Sequence, residues 1–564
     1  MRRLLTFIAL SAFVPSCISK TVTYNWDVGW IIAAPDGFSR PVIAINGQWP
    51  PPKVEADLGD TISVTVTNSL GNETTGIHWH GQFQEHSNFM DGPPGVTQCP
   101  IQPGSSYTYT FTANPAGTYW YHSHAPGQYG DGLRGPLVIH DRRAEKELGF
   151  DQELTLVLSD WYHDQMPGLL HYYLGTKNTD GAEPIPMSSL INDKLTETFD
   201  ILPGKKYMIR VISTSALAAH FVKFDGHNMS VVAVDGVQVV PVVTDTIEVS
   251  AGQRMDVIIT GLMNATKNYA FVASMDPDMF DSVPDTLNLN SDGVLVYNPK
   301  FAAPAPLRQE DYTALDDIGL IPLDGQPILG APDQTITLAI DFESYSFGQR
   351  ASLGSEPYIS PKVPTIYTAL TTGQNALNPA VYGPGVNPFV LRYGQVIELV
   401  INNLDTGGHP MHLHGHVFQV LTRTSTQPWD GNTSGFPKIP MKRDTVKVAA
   451  GGAIVLRFKA ENPGVWLFHC HIDWHVEAGL SVTFIEAPIH LQEQFQHGGP
   501  IYAANNCKKQ GIPISGNCAG QTRNVTDNSK CNNVIDPNPW GSLINPPSSR
   551  KVRGLMRDIA ALRV

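Results

Sequence analysis

Two stretches far apart in the chain follow one plan, and that repetition limits the possible fold more than any other feature. GDTISVTVTN (residues 59–68) alternates polar and β-branched residues and leads to IHWHG (residues 77–81). GQVIELVINN (residues 394–403) alternates in the same way and leads to MHLHG (residues 411–415). The parallel continues downstream, where PAGTYWYHSH (residues 115–124) matches NPGVWLFHCH (residues 462–471) in its turn and its apolar approach. A period of two marks strands with one buried face. Between these copies, PGKKYMIRVISTS (residues 203–215) and FVKFDGHNMSVVAVDG (residues 221–236) repeat the alternation without an H-x-H pair. Three all-β units are expected, the outer two carrying the histidines, with metal sites in the last unit and at the seam between first and last.

A chain of 564 residues exceeds what one core supports, and its 50 glycines and 44 prolines suit short strands joined by many turns. The expected division is residues 20–145, 150–300 and 355–490 for the three units, with 301–354 as a Pro-, Asp- and Gly-rich linker and 491–564 as a polar tail. A formal charge of −14 argues against a nucleic-acid partner, which would require a basic surface.

The first 19 residues, with Arg2 and Arg3 ahead of an apolar run and small residues near Ser19, have the form of a secretory signal peptide. No later segment is apolar for long enough to span a bilayer, so a secreted monomer without a membrane anchor is expected, extracellular or associated with the cell wall. Sequons at Asn72, Asn228, Asn264, Asn432 and Asn524 are compatible with glycosylation. Cys17 falls in the signal peptide and Cys470 in a histidine cluster. The remaining Cys99, Cys507, Cys518 and Cys531 suggest two disulfides. Of the three possible pairings, Cys99 with Cys507 and Cys518 with Cys531 is the expected one.

Histidines gather in four clusters: His78 and His80; His122 and His124; His409, His412 and His414; and His469, His471 and His475 around Cys470. One H-x-H pair is an ordinary surface feature, but four in two repeated contexts point to metal. In WLFHCHIDWH (residues 466–475) an extended strand turns Cys470 to one face and His469 and His471 to the other, so one segment can serve two metal sites. A thiolate with two imidazoles describes a blue-copper site, supplied by His409, Cys470 and His475. Zinc sites favour C-x-x-C or H-x-x-x-H spacing, which these clusters lack. Leu480, ten residues past the cysteine, is the axial neighbour; leucine cannot ligate copper, which implies a higher reduction potential than an axial methionine would give.

HWHG, HSH, HPMHLHGH and HCHIDWH together resemble the multicopper oxidases, from the first unit to about Pro488. The resemblance implies four copper ions and three cupredoxin-like Greek-key sandwiches. It assigns His78 and His412 to a type 2 copper, His80, His122 and His471 to one type 3 copper, and His124, His414 and His469 to the other, beside the type 1 copper at Cys470. Electrons from a small reducing substrate would pass from Cys470 along the adjoining peptide bonds to His469 and His471, and four of them would reduce O₂ to water. Asp91 and Asp473 are the proton carriers that the resemblance implies.

The electron donor is less constrained. Glu183, Asp281 and Asp405 occupy positions at which fungal ferroxidase-like enzymes hold Fe(II). Against iron, membrane-bound ferroxidases of iron uptake end in a transmembrane helix, whereas this chain ends in SSRKVRGLMRDIAALRV. Typical laccases carry an acid just before a T-L-I-N segment; aligned on Leu190, Ile191 and Asn192, that position is Met187, with Glu183 near enough to replace it. The sequence reading therefore ranks laccase-like oxidation of phenols, in pigment or secondary-metabolite formation, ahead of a soluble ferroxidase. A copper-storage protein without turnover ranks last, because no ligand is missing.

Overall fold

The computed structural model describes residues 19–309, 311–496 and 501–531; the expected signal peptide, apart from Ser19, and the end of the tail lie outside them. Each outer repeat begins with a strand whose alternate residues go inward. In Thr61–Asn68, Ile62, Val64 and Val66 are fully buried. The outward Ser63, Thr65 and Thr67 pair by hydroxyl hydrogen bonds with Thr110, Thr108 and Ser106 on the neighbouring strand. Such a surface serves one buried face and one wet face, the requirement of a sandwich.

Three two-sheet sandwiches result. The first has two four-stranded sheets; the second and third each pair a six-stranded sheet with a five-stranded one. One topological signature recurs. Thr21–Ala33 runs parallel to Thr61–Asn68, Gln152–Trp161 to Lys206–Ser213, and Gln334–Tyr345 to Val396–Asn403, each within an otherwise largely antiparallel sheet. The second sheets repeat it, with Val54–Asp57 parallel to Arg134–His140, Thr196–Asp200 to Asn290–Val296, and Pro388–Leu391 to Ser481–Glu486. A bulge falls at corresponding places, between Val231 and Ala233 and between Val420 and Thr422. The fold is all-β, built from three cupredoxin-like Greek-key units.

The linker is shorter than expected. Gln334–Tyr345 and Gly348–Leu353 are strands of the third sandwich, so 334–353 does not belong to a 301–354 connection. Ile336, Leu338 and Ile340 alternate into the core, and Ile340 pairs with Leu353 across the hairpin. The Pro- and Gly-rich run just before them masks that period in the sequence.

The strand Gly464–Cys470 joins two cores. Val465 and Leu467 pack in the core shared with the first sandwich, while Phe468 and Cys470 pack in the core shared by the second and third. The tail is tied back to the first sandwich by the Cys99–Cys507 disulfide, and Cys518 pairs with Cys531, as expected. Among the described residues no helix is long and apolar enough to cross a membrane.

Candidate metal centre

Cys470 ends its strand, and the short helix Asp473–Ala478 follows at once, bringing His475 back beside the sulfur. His409 opens the strand His409–Leu413 of the same sheet. Cys470 Sγ lies 3.5 Å from His475 Nδ1 and 3.7 Å from His409 Nδ1, and the two nitrogens are 3.0 Å apart. All three residues are buried, and Cys470 is the free cysteine of the described residues. Burial opposes ionisation of the thiol, but the hydrogen bonds and charge of His409 and His475 outweigh it and bring Cys470 down to about 7. At His475 burial favours the neutral ring, but the hydrogen bonds and charges of Cys470 and then Glu183 outweigh it and raise His475 to about 10. Leu480 is fully buried in the core that holds Cys470, and its carbonyl accepts the Cys470 N–H.

The other eight histidines of the four clusters meet where the first and third sandwiches face each other. His78, His80 and His412 offer ligand atoms within 4.8 Å of one another, as do His80, His122 and His471, and His124, His414 and His469. His80 Nδ1 is 3.1 Å from His471 Nε2, and His414 Nε2 is 3.0 Å from His469 Nε2. The backbone fixes several outer nitrogens: Nδ1 of His78, His122, His412 and His469 hydrogen-bonds to the carbonyls of Asp91, Ser123, Asp444 and Cys470. That selects the tautomer with a lone pair on the inner nitrogen. Nε2 of His78, His122, His124 and His412 is buried without a partner. Burial first, then mutual repulsion, holds His122, His124, His414 and His469 well below the usual histidine range, so these rings are neutral. Orphaned, neutral, convergent imidazoles fit metal ions, and the thiolate beside them fits copper.

The acids fall into two sets. Asp91 accepts from His414 Nδ1 at 2.9 Å and lies 3.2 Å from His78 Nδ1, spanning two metal groups. Its turn requires Gly92, since a Cβ there would meet the Ile77 carbonyl. Asp473 is buried at the helix start; burial, then Glu477, Asp131 and Asp160, pushes its carboxyl well above the usual range. On the side of His475 and His409 away from Cys470, Glu183 Oε1 lies 2.7 Å from His475 Nε2 and Asp405 Oδ2 lies 3.0 Å from His409 Nε2. Asp281 is exposed, yet its carboxyl is raised by partial burial and by the charges of Glu183, Asp180 and Asp405, so these acids share one field. Met187 donates its backbone N–H to the Trp161 carbonyl.

Sequence reasoning missed Asp444 and Arg254. Asp444 Oδ1 is 3.3 Å from His80 Nε2 and 3.5 Å from His412 Nδ1, and Arg254 of the second sandwich grips the same carboxylate. The one available signal was Lys442-Arg443-Asp444, a charged run inside an apolar strand region.

Three cupredoxin-like sandwiches around a buried Cys-His-His site and an eight-histidine pocket define a copper-dependent oxidoreductase. Multicopper oxidase family models match residues 27–144, 152–300 and 358–490. The chain belongs to the multicopper oxidases. It is 46% identical to the iron transport multicopper oxidase fetC of Epichloe festucae, over 96% of this chain and 88% of that one. It is 37% identical to the iron transport multicopper oxidase FET3 of Saccharomyces cerevisiae, over 90% and 82%. Among solved structures, Fet3p, a multicopper oxidase that functions in iron import, superimposes with a TM-score of 0.88 at 37% identity, covering 90% of this chain and 98% of that one. The laccase of Botrytis aclada gives 0.76 at 29%, covering 87% and 92%.

Proposed function

We propose that the electron donor is Fe(II) and that the protein is a ferroxidase, which reverses the ranking of iron and phenols drawn from sequence. The observation that carries this is the pair of carboxylates on the outer nitrogens of both blue-copper histidines, each with its side chain about a quarter exposed. Glu183 and Asp405 therefore reach from copper ligands to solvent, and Asp281 stands in their field. Hard carboxylate oxygens suit iron, and a cluster of negative charge favours Fe(III) over Fe(II), which assists electron loss. Relatives named as iron transport oxidases support the same reading.

In this reading His409, Cys470 and His475 hold a type 1 copper, His78 and His412 a type 2 copper, and the remaining six cluster histidines two type 3 coppers. When bound, copper supplies one-electron acceptance beside Cys470 and reduction of O₂ to water in the histidine pocket. Glu183 and Asp405 bind and orient iron against the two imidazoles. Cys470 joins that site to the pocket through its peptide bonds with His469 and His471. Asp91 orients His78 and His414, and with Asp473 it supplies protons at the pocket wall. We read the protein as secreted and monomeric, its two disulfides needing an oxidising compartment.

A phenol would need only one proton acceptor, Glu183, and leaves Asp281 and Asp405 without a role. Steady-state kinetics on Fe(II) and a phenol panel, for the wild type and a Glu183→Ala, Asp281→Ala, Asp405→Ala variant, separate the two. Selective loss of Fe(II) turnover is expected. A wild type that oxidises phenols more efficiently than Fe(II) would overturn the proposal.

A further inference from the structure

The second sandwich carries none of the cluster histidines, yet it forms part of the pocket wall. Its turn Ser250–Gln253 and the following Arg254 meet the residues around the eight-histidine group at three points, His471 itself and the neighbouring Thr445 and Asp444. Gly252, at φ +81°, lies so close to His471 that a Cβ would fall 2.7 Å from the ring. Gln253 Nε2 donates to the Thr445 carbonyl at 3.1 Å. Arg254 is fully buried, and its two terminal nitrogens donate to the two oxygens of Asp444 at 2.8 and 2.6 Å.

Asp444 is the shared element. One of its oxygens accepts from Thr445 Oγ1 at 2.8 Å and faces His80 Nε2 and His412 Nδ1, rings that the copper assignment proposed above gives to a type 3 and the type 2 copper. A carboxylate fully withdrawn from water needs a compensating cation with good geometry, and a two-pronged guanidinium supplies both the charge and a fixed plane. Arg254 is itself fixed from behind. Its backbone N–H donates to Asp235, whose carboxylate also takes Nε and Nη2 of Arg443, the residue before Asp444. The Arg254 guanidinium also packs over the Tyr119 ring.

We infer that Arg254 and Gly252 of the second sandwich are positioning residues for the three-copper pocket: Arg254 orients His80 and His412 through Asp444, and Gly252 clears the space that His471 occupies. This rests on the copper assignment proposed above. It gives the sandwich without ligands a defined task, which is to set the angle between the type 2 and type 3 rings.

The test compares copper-loaded wild type with Arg254→Lys, Arg254→Ala, Asp444→Asn and Gly252→Ala, measuring copper per chain, the blue absorption near ~600 nm expected of a copper–thiolate bond, and the type 2 electron paramagnetic resonance signal. Far-ultraviolet circular dichroism of the metal-free chains checks folding. The expected result is an unchanged blue band with copper held about 10–100-fold more weakly in the pocket and an altered type 2 signal, the scale usual for the outer partners of metal ligands. Arg254→Lys keeps the charge but loses the fork, so it should show the defect in a chain that folds even if the alanine variant does not. Arg254→Lys and Gly252→Ala chains that hold wild-type copper with a superimposable type 2 signal would overturn the inference. A wild type without any type 2 signal would instead overturn the copper assignment beneath it.

Discussion

Glu183 and His475, 292 residues apart in sequence, meet at 2.7 Å, so a carboxylate from the second sandwich holds the outer nitrogen of a proposed blue-copper ligand in the third. The carboxylate is partly exposed while the imidazole is buried. One hydrogen bond therefore spans the distance between solvent and the buried imidazole, and a change of charge at Glu183 acts on His475 directly.

Glu183→Gln should lower kcat/KM for Fe(II) by about 10–100-fold, the range typical for partners one shell out from a metal. An amide keeps the shape and one hydrogen bond but loses the charge that favours Fe(III). Single-turnover bleaching of the blue band by Fe(II) measures it directly, and an unchanged rate would remove Glu183 from the electron route.

Cys470→Ser should abolish the absorption near ~600 nm, because a hydroxyl cannot supply the copper–thiolate bond. The eight-histidine pocket contains no atom of that side chain, so its copper should remain. Metal analysis alongside the visible spectrum checks both parts, and a Cys470→Ser protein that is still blue would contradict the assignment.

Glu73 provides a pH-dependent stability term away from the copper ligands. Burial, with the charge of Asp131 adding to it and the Gln128 hydrogen bond opposing it, raises its carboxyl from 4.5 to about 7. A folded value above the unfolded one means that full stability is present below pH 4.5 and is lost as pH rises towards 7. Glu73→Gln removes the charge and keeps a group able to pair with Gln128 Nε2, which now lies 3.0 Å from Glu73. The melting temperature of the variant should match wild type near pH 4.5 and exceed it by a few degrees at pH 8. Equal melting temperatures at pH 8 would exclude a buried charge at this position.

Cys99→Ala should cost about 2–5 kcal/mol, the range for loss of a native disulfide, because Cys99 and Cys507 close a loop with a sequence separation of 408. The tail segment beyond residue 500 should become the first site of proteolysis. Limited digestion with and without the substitution reads this out, and an unchanged cleavage pattern would show that other contacts hold the tail.

Much of the architecture is legible in the sequence because each feature is local. Period-two alternation marks a strand wherever it occurs, and H-x-H pairs at strand ends place two rings on one face. An even number of cysteines signals two disulfides, whereas the pairing itself is one choice among three that only the fold decides. What the sequence hides depends on contacts between distant segments. Arg254 and Asp444 are 190 residues apart and look like ordinary charges until the second and third sandwiches close on them. Gln334–Tyr345 reads as linker because the turn-rich run before it dominates the local composition. His220 gives the opposite lesson. It pairs with Val249 as His409 pairs with Val448, so it occupies the position of His409 in the middle repeat. There it is satisfied by Ser189 and Ser215, and burial brings it down to about 3, which makes it a neutral core side chain.

The strand that sends Val465 and Leu467 into one core and Phe468 and Cys470 into another has a further consequence for how such an enzyme can be divided. On the proposed copper assignment, an isolated third sandwich would keep the coloured half of the machine and lose the wall against which oxygen is consumed. Recombination between relatives must therefore exchange the first and third repeats as a matched pair, because a single ribbon of backbone is the common partition of both chambers.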